Sequence, residues 1–305
     1  MYNSMNSYEN QDGESMKNLK KPVWITIMII CVAVLTVSAI FLINYFRTPE
    51  EDKISRSDFT ETTDATDAAQ ALTESESAAP TAAPTAAPTE KQLNKFGQKT
   101  SDPPADWSTL SFEELMEMNP DIYAWIYIPG TNVDYPVCQS LDGNDDFYLD
   151  HNIYRQYQFS GTIYSQSMNK RDFSDPVTVL YGHNMLNGSM FASLHNFEDE
   201  SFFKENNTIF VYTKDKLLTY LVYSAYSYDD RHILYSYNMN DEESLKRYQE
   251  TTLNPHTYDG NLLKDVTLDK DSKILTLSTC TNGGSSNSRY LVQGVLVDVK
   301  DRVKS

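Results

Sequence analysis

The chain has 305 residues, with 43 acidic and 25 basic side chains and a formal net charge of −18. That balance argues against nucleic-acid binding by phosphate neutralisation, because there is no basic excess to displace counterions. Three cysteines are too few for a disulfide scaffold, and a chain of this length can bury a core without one.

Residues 1–21 are polar and carry no readable motif. From Pro22 to Phe46 there is no charged residue, and Ile, Val, Leu, Ala and Phe dominate. This run predicts a transmembrane helix over 22–46, about the length that spans a bilayer. Lys17, Lys20 and Lys21 precede it, while Glu50, Glu51 and Asp52 follow Arg47. The positive-inside rule therefore places residues 1–21 in the cytoplasm and the rest of the chain outside the cell. The apolar run is too long for a signal-peptide core, and no Ala-x-Ala-like site follows it, so the segment reads as an uncleaved anchor.

Residues 47–105 read as a disordered linker. Ten acids lie between Glu50 and Glu90 against Lys53 and Arg56, and Ala-Ala-Pro recurs at 78–80, 82–84 and 86–88. Such composition buries too little surface to offset its ordering entropy, and its prolines favour extended chain. A wall-spanning spacer and a merely solvated segment both fit, and Ser/Thr-rich Pro segments can carry O-glycans.

The folded domain, 106–305, opens with capping-box spacing at Ser111-Phe112-Glu113-Glu114, which predicts a short helix ending at Asn119-Pro120. Strands follow over 122–128, 133–138, 161–164, 177–181, 208–212 and 217–226, then on either side of Cys280. That makes about eight in all. Helices are expected at 189–194 and at 241–252. Many short strands without a βαβ rhythm predict a mostly β domain, a closed or nearly closed antiparallel-rich barrel.

The chemistry concentrates near the C-terminus. Ile274 to Cys280 is an apolar, β-branched strand ending in small residues, and 281–288 is a loop by composition. Arg289 then opens a second apolar strand. A thiol at one strand end and a guanidinium at the next strand start share one rim of a sheet. By itself a lone cysteine is more often a small buried hydrophobe, and Cys138, in a strand-like stretch, reads as such a free thiol. A nucleophilic Cys280 needs a proton-transfer partner. His183 follows the strand 177–181 directly, in Tyr181-Gly182-His183-Asn184, and so also lies at a rim. His195 sits with Met190, Phe191 and Leu194 and reads as a packing or surface residue. His151, His232 and His256 read as solvated loop imidazoles. No histidine pair has zinc-ligand spacing and no Cys-x-x-Cys occurs, so no metal site is expected. Asp142, Asp145 and Asp146 read as a solvated turn.

Three separated segments resemble the sortases. They are Tyr181-Gly182-His183-Asn184-Met185 with Gly188-Ser189-Met190-Phe191, then Thr276-Leu277-Ser278-Thr279-Cys280, then Arg289. Class B in particular is suggested by Asn119-Pro120-Asp121, by 128–137 and by the helix inserted at 241–252. The resemblance implies an eight-stranded sortase-type barrel with an N-terminal helix and an inserted helix before the cysteine strand, acting as a transpeptidase without a cofactor. In this reading Cys280 is the nucleophile, His183 the acid and base, and Arg289 the group that holds the substrate backbone and steadies the oxyanion. Ser278, Tyr181 and Leu149 match groove-lining positions. Tyr228-Asp229-Asp230-Arg231 departs from a threonine-bearing groove segment. Implied partners are surface proteins with a C-terminal sorting signal, and a peptidoglycan precursor or pilin amine as acceptor. Two other readings are a thiol hydrolase or L,D-transpeptidase-like wall enzyme, and an inactive membrane-anchored binding module. The first clusters its His and Cys in one short segment, unlike this chain. The second does not explain the joint presence of His183, Cys280 and Arg289.

Overall fold

The computed structural model describes residues 25–39, 55–59, 93–105, 107–257, 259–282 and 287–302, in two compact units, Met1–Lys53 and Ile54–Ser305. In the first unit a helix runs over 25–39, exposed throughout and apolar apart from Thr26, Thr36 and Ser38. Among the described residues no helix is long and apolar enough to cross a membrane. The rest of the expected 22–46 span, and the tail at 1–21, lie outside the described residues.

The second unit begins its regular structure with α1 (Phe112–Met118), which is capped as its sequence predicts: the Ser111 side chain accepts from the Glu114 N–H at 3.3 Å. A cap of this kind is worth about 1 kcal/mol. Phe112 and Leu115, one helical turn apart, are fully buried and fix the helix to the barrel. Strands β1 (Ile122–Tyr127), β2 (Asp134–Cys138), β3 (Ile163–Tyr164) and β4 (Val177–Tyr181) follow. After a 3₁₀ turn at Ala192–Glu198 and α2 (Glu200–Glu205) come β5 (Thr208–Thr213) and the long β6 (Lys216–Asp229). Then α3 (Ile233–Ser236), α4 (Glu242–Leu253) and the two-residue β7 (Asn261–Leu262) precede β8 (Ile274–Cys280) and β9 (Ser288–Asp301).

The strands are ordered β5-β1-β2-β3-β4-β8-β9-β6, and a β5–β6 pairing closes the ring into an eight-stranded barrel. The barrel expected from the sequence is thus present. The expected helix at 189–194 is instead a 3₁₀ turn displaced to Ala192–Glu198, and β7, too short to leave a periodic signal, adds to the outer side of β6. Most ladders are antiparallel, but β2–β3 and β4–β8 are parallel. Ile126, Val137, Leu180, Ile209, Val222, Leu277 and Val292 are fully buried in the main core. A second cluster under α1 is built on Trp125 and Tyr212, and a third, under α4, on Tyr248 and Leu245. Tyr248 also shares a hydrogen bond with Thr276 of β8 at 2.8 Å, and Thr276 donates to Gln293 of β9 at 2.7 Å. The inserted helix is thereby fastened to the strand that ends in Cys280.

The stretch 47–105 departs from its expected character at both ends. A 3₁₀ turn, Arg56–Phe59, lies on the barrel. Phe59 is buried 6.5 Å from the Trp125 ring, and its carbonyl accepts from the Ser111 N–H at 2.6 Å. The Arg56 guanidinium lies 5.0 Å from the Tyr127 ring centre. Residues 93–105 are also held, for example by the Ser101 N–H on Thr208 Oγ1 at 2.9 Å. Phe59 is the only aromatic residue between Glu50 and Gln92. A composition averaged over the whole stretch hides it, yet a single aromatic meeting an apolar socket is enough to dock a turn. The remaining linker residues lie outside the described ones.

Candidate active site

The parallel β4–β8 ladder decides where the chemistry lies. It runs from Val177 paired with Ile274 to Tyr181 paired with Ser278, and the Gly182 N–H extends it to the Ser278 carbonyl at 3.2 Å. Both strands therefore end at the same rim, with His183 and Cys280 each two residues beyond the last pair. β9 runs antiparallel to β8, and Arg289 faces Cys280 in register. A residue after β4, one at the end of β8 and one at the start of β9 thus converge.

Gly182 is required by close approach. A Cβ there would stand 2.5 Å from Ile163 Cδ1 and 2.7 Å from Phe191 Cδ2. The next residue is then held on three sides. The His183 carbonyl accepts from the Phe191 N–H at 2.9 Å. Its ring stacks on Phe159 with centroids 5.6 Å apart, and Nε2 donates to the Leu149 carbonyl at 2.8 Å. A carbonyl only accepts, so that bond places hydrogen on Nε2 and leaves Nδ1 as the basic position of the neutral ring.

His183, Cys280 and Arg289 line one groove of about 270 Å³ together with Ser278, Tyr181 and Leu149. All six residues singled out from the sequence are therefore brought together. Leu149 serves twice, through its side chain in the groove and through its carbonyl on His183. Ser278 is buried at the groove floor. Burial pushes the Tyr181 hydroxyl well above the ordinary phenol range, so this group acts there as a neutral hydrogen-bonding group. The Arg289 guanidinium donates to the Ser288 carbonyl at 3.1 Å, and its charge acts on Tyr164 across the groove.

The groove also holds His232, Asp146 and Gln166, which the sequence does not place there. His232, expected as a solvated loop imidazole, is half-buried and caps α3, with Nδ1 accepting from the Tyr235 N–H at 3.3 Å. Its Nε2 meets Gln166 Oε1 at 2.5 Å, and burial lowers its pKa from the usual 6.5. Asp146 and Gln166 also line the groove, and the Gln166 amide donates to Asp146 at 3.0 Å. Tyr228, Asp230 and Arg231 occupy the rim segment that departs from the expected threonine-bearing stretch. Arg231 lies over the Tyr228 ring at 5.4 Å and is held by Asp229, whose carboxyl it keeps below the usual range. Asp146, Gln166 and His232 do not follow from local sequence as groove residues, because they arrive from separate parts of the chain.

His195 likewise differs from a simple packing residue: Nε2 lies 2.9 Å from the Cys280 carbonyl. His256 is exposed, as read, and His151 stacks on Phe147 at 4.0 Å. Cys138 is a buried free thiol, pushed up by burial, and Cys280 is free and exposed. Among the described residues no group of three or more His, Cys, Asp or Glu side chains is placed to hold a metal. Asp142 is paired with Arg155, Asp145 accepts from the Ser167 N–H at 2.8 Å, and Asp146 is occupied by Gln166.

Comparison with known proteins gives the chain's relatives. Residues 126–297 match the family model described as the Sortase domain. Sortase B of Listeria monocytogenes is 33% identical over 187 residues, covering 60% of this chain and 73% of that protein. The crystal structure of Clostridium perfringens sortase B is 32% identical with a TM-score of 0.53, covering 62% of this chain and 100% of that one. A Streptococcus pyogenes class B sortase, described as involved in pilus biogenesis, is 25% identical with a TM-score of 0.50, covering 61% and 97%.

Proposed function

The chain belongs to class B of the sortase family, whose members are cysteine transpeptidases, and from that premise we propose that it cleaves a surface protein's sorting signal after a threonine and transfers the acyl group to an amine of peptidoglycan or of a pilin subunit. The observation that carries this reading is the convergence of Cys280, His183 and Arg289 on one groove.

In the proposed reaction the Cys280 thiolate attacks the carbonyl carbon of the signal threonine and forms the C–S bond. The carbonyl π electrons move onto oxygen, and the guanidinium of Arg289 stabilises the oxyanion. As the oxyanion collapses, the C–N bond breaks, and the imidazolium of His183 gives its proton to the departing amine. A thioester remains on Cys280, with His183 neutral. The incoming amine attacks that thioester and loses its proton to His183, and the C–S bond breaks to return the thiolate.

The uncharged run from Pro22 to Phe46, with Lys17, Lys20 and Lys21 before it, supports a membrane anchor with the barrel outside the cell. The Streptococcus pyogenes relative's role in pilus biogenesis keeps a pilin amine beside peptidoglycan as acceptor.

The test uses the full chain in detergent, wild type beside Cys280→Ala, with a panel of sorting-signal peptides, with and without oligoglycine or diaminopimelate-bearing acceptors. Mass spectrometry reads the products. An acyl adduct on Cys280 and an acceptor-dependent ligation product, both absent in the variant, are expected. Cleavage with no ligation under any acceptor would replace the transpeptidase by a thiol hydrolase. No adduct with any peptide would favour an inactive binding module.

A further inference from the structure

The backbone carbonyl of Cys280 takes no part in the proposed reaction, yet two side-chain donors converge on it. It receives Nε2 of His195 at 2.9 Å and Nδ2 of Asn184 at 3.1 Å. On the other side of the same ring, His195 Nδ1 meets Glu198 Oε1 at 2.6 Å. A carbonyl and a carboxylate only accept, so the arrangement calls for hydrogen on both ring nitrogens. The Asn184 amide has two hydrogens, and Cys280 O and Asn282 Oδ1, the latter at 3.0 Å, take them. Its 3.1 Å approach to Nε2 is therefore two donors converging on one acceptor, not a bond between them.

The ring is built in rather than resting on the surface. Its side chain is 8% exposed, against 48% for Glu198, and it stacks on Tyr290 with centroids 4.7 Å apart. Tyr290 is itself 1% exposed and pairs with Thr279 in the β8–β9 ladder. The ring is thus wedged between the carboxylate of its own turn and the strand pair that carries Cys280 and Arg289.

We propose that Glu198 and His195 form a positioning pair that locks the Cys280 peptide, and with it the direction in which the thiol leaves the strand end. The proposal rests on Cys280 being the nucleophile. After Cys280 the chain leaves the ladder, and a nucleophile at a strand end would otherwise take several orientations. A charge-assisted donor, held in line by its own carboxylate, restricts it to one. Asn184 adds the second donor, and because it directly follows His183, the same carbonyl ties the acid–base residue to the nucleophile. Nucleophilic rates fall steeply with small misplacements of this kind.

The test compares wild type, His195→Gln, His195→Phe and Glu198→Gln in the full chain. Glutamine puts an N–H donor where Nε2 stood, while phenylalanine keeps the stack on Tyr290 and offers no donor. Two rates are read: acylation of Cys280 by a sorting-signal peptide, and alkylation of Cys280 by iodoacetamide, with mass spectrometry locating the label. Thermal unfolding is measured for each. Expected is an acylation rate roughly 10–100-fold lower in His195→Phe at unchanged peptide KM, with a smaller fall in Glu198→Gln. His195→Gln should stay within about threefold of wild type on the same ground, and alkylation should follow the same order. The proposal is overturned if His195→Phe acylates and alkylates like wild type, or if His195→Gln falls as far as His195→Phe, with losses tracking unfolding alone. Wild-type protein that forms no adduct on Cys280 indicts the nucleophile assignment instead, and the alkylation series then still decides the positioning pair.

Discussion

Tyr181 and Ser278 form the last pair of the parallel β4–β8 ladder, and that one pairing brings the candidate acid–base and nucleophile to the same rim. In an antiparallel ladder the end of β4 would have met the start of β8. The groove would then have held one of the two residues only. Parallel pairing of strands so distant in sequence, bridged by α2 to α4, is the device on which the site depends.

Removal of the two groups should separate their roles. Cys280→Ala abolishes adduct and ligation product outright, since no other exposed thiol lines the groove. His183→Ala retains a thiol but loses proton transfer, and its ligation rate should fall by about 10²–10⁴-fold. Ligation kinetics followed by mass spectrometry check both, and a His183→Ala enzyme within about threefold of wild type would remove that residue from the assignment.

Gly182→Ala should damage the site without touching a reacting group. The added methyl meets Ile163 and Phe191 well inside contact distance, and overpacking of this kind costs about 1–3 kcal/mol. Denaturant unfolding should show that loss, and ligation should drop as the backbone of His183 shifts. An unchanged midpoint would mean that Phe191 yields freely.

His232 gives a pH dependence. Burial holds its folded pKa below 6.5, partly offset by Asp146 and Asp145. As pH falls below about 6.5 the unfolded chain therefore binds the proton first. Stability contributed by the neutral ring is present above that value and declines below it, until the folded ring protonates as well. His232→Gln should flatten the stability profile below about pH 6.5. Chemical denaturation at a series of pH values tests this, and parallel profiles would rule it out.

Phe59→Ala should loosen the docked turn. Burying a phenylalanine side chain contributes about 1.5–3 kcal/mol, and the variant should lose an amount of that order in denaturant unfolding. Protease cleavage near Arg56 should become faster while ligation by the barrel continues. Equal stability and equal cleavage would show that the turn adds nothing to the fold.

Several features were fixed by local sequence alone. The strands at 177–181 and 274–280 are legible to the residue, because β-branched runs bounded by glycine or small residues leave a short-range signal. The capped helix after Ser111 was readable for the same reason. Cys280, His183 and Arg289 stand out because each lies at or next to a strand end, where a side chain can reach a rim. The tertiary structure decided what such signals cannot carry. Strand direction, parallel or antiparallel, leaves no local trace. The groove places of His232, Gln166 and Asp146 depend on segments from separate parts of the chain. The docking of Phe59 rests on one aromatic in an otherwise polar stretch. The bond from His195 to the Cys280 carbonyl is set by a 3₁₀ turn whose sequence reads only as packing. In each case the deciding energy is a contact between residues far apart in the chain, which appears only when the barrel closes.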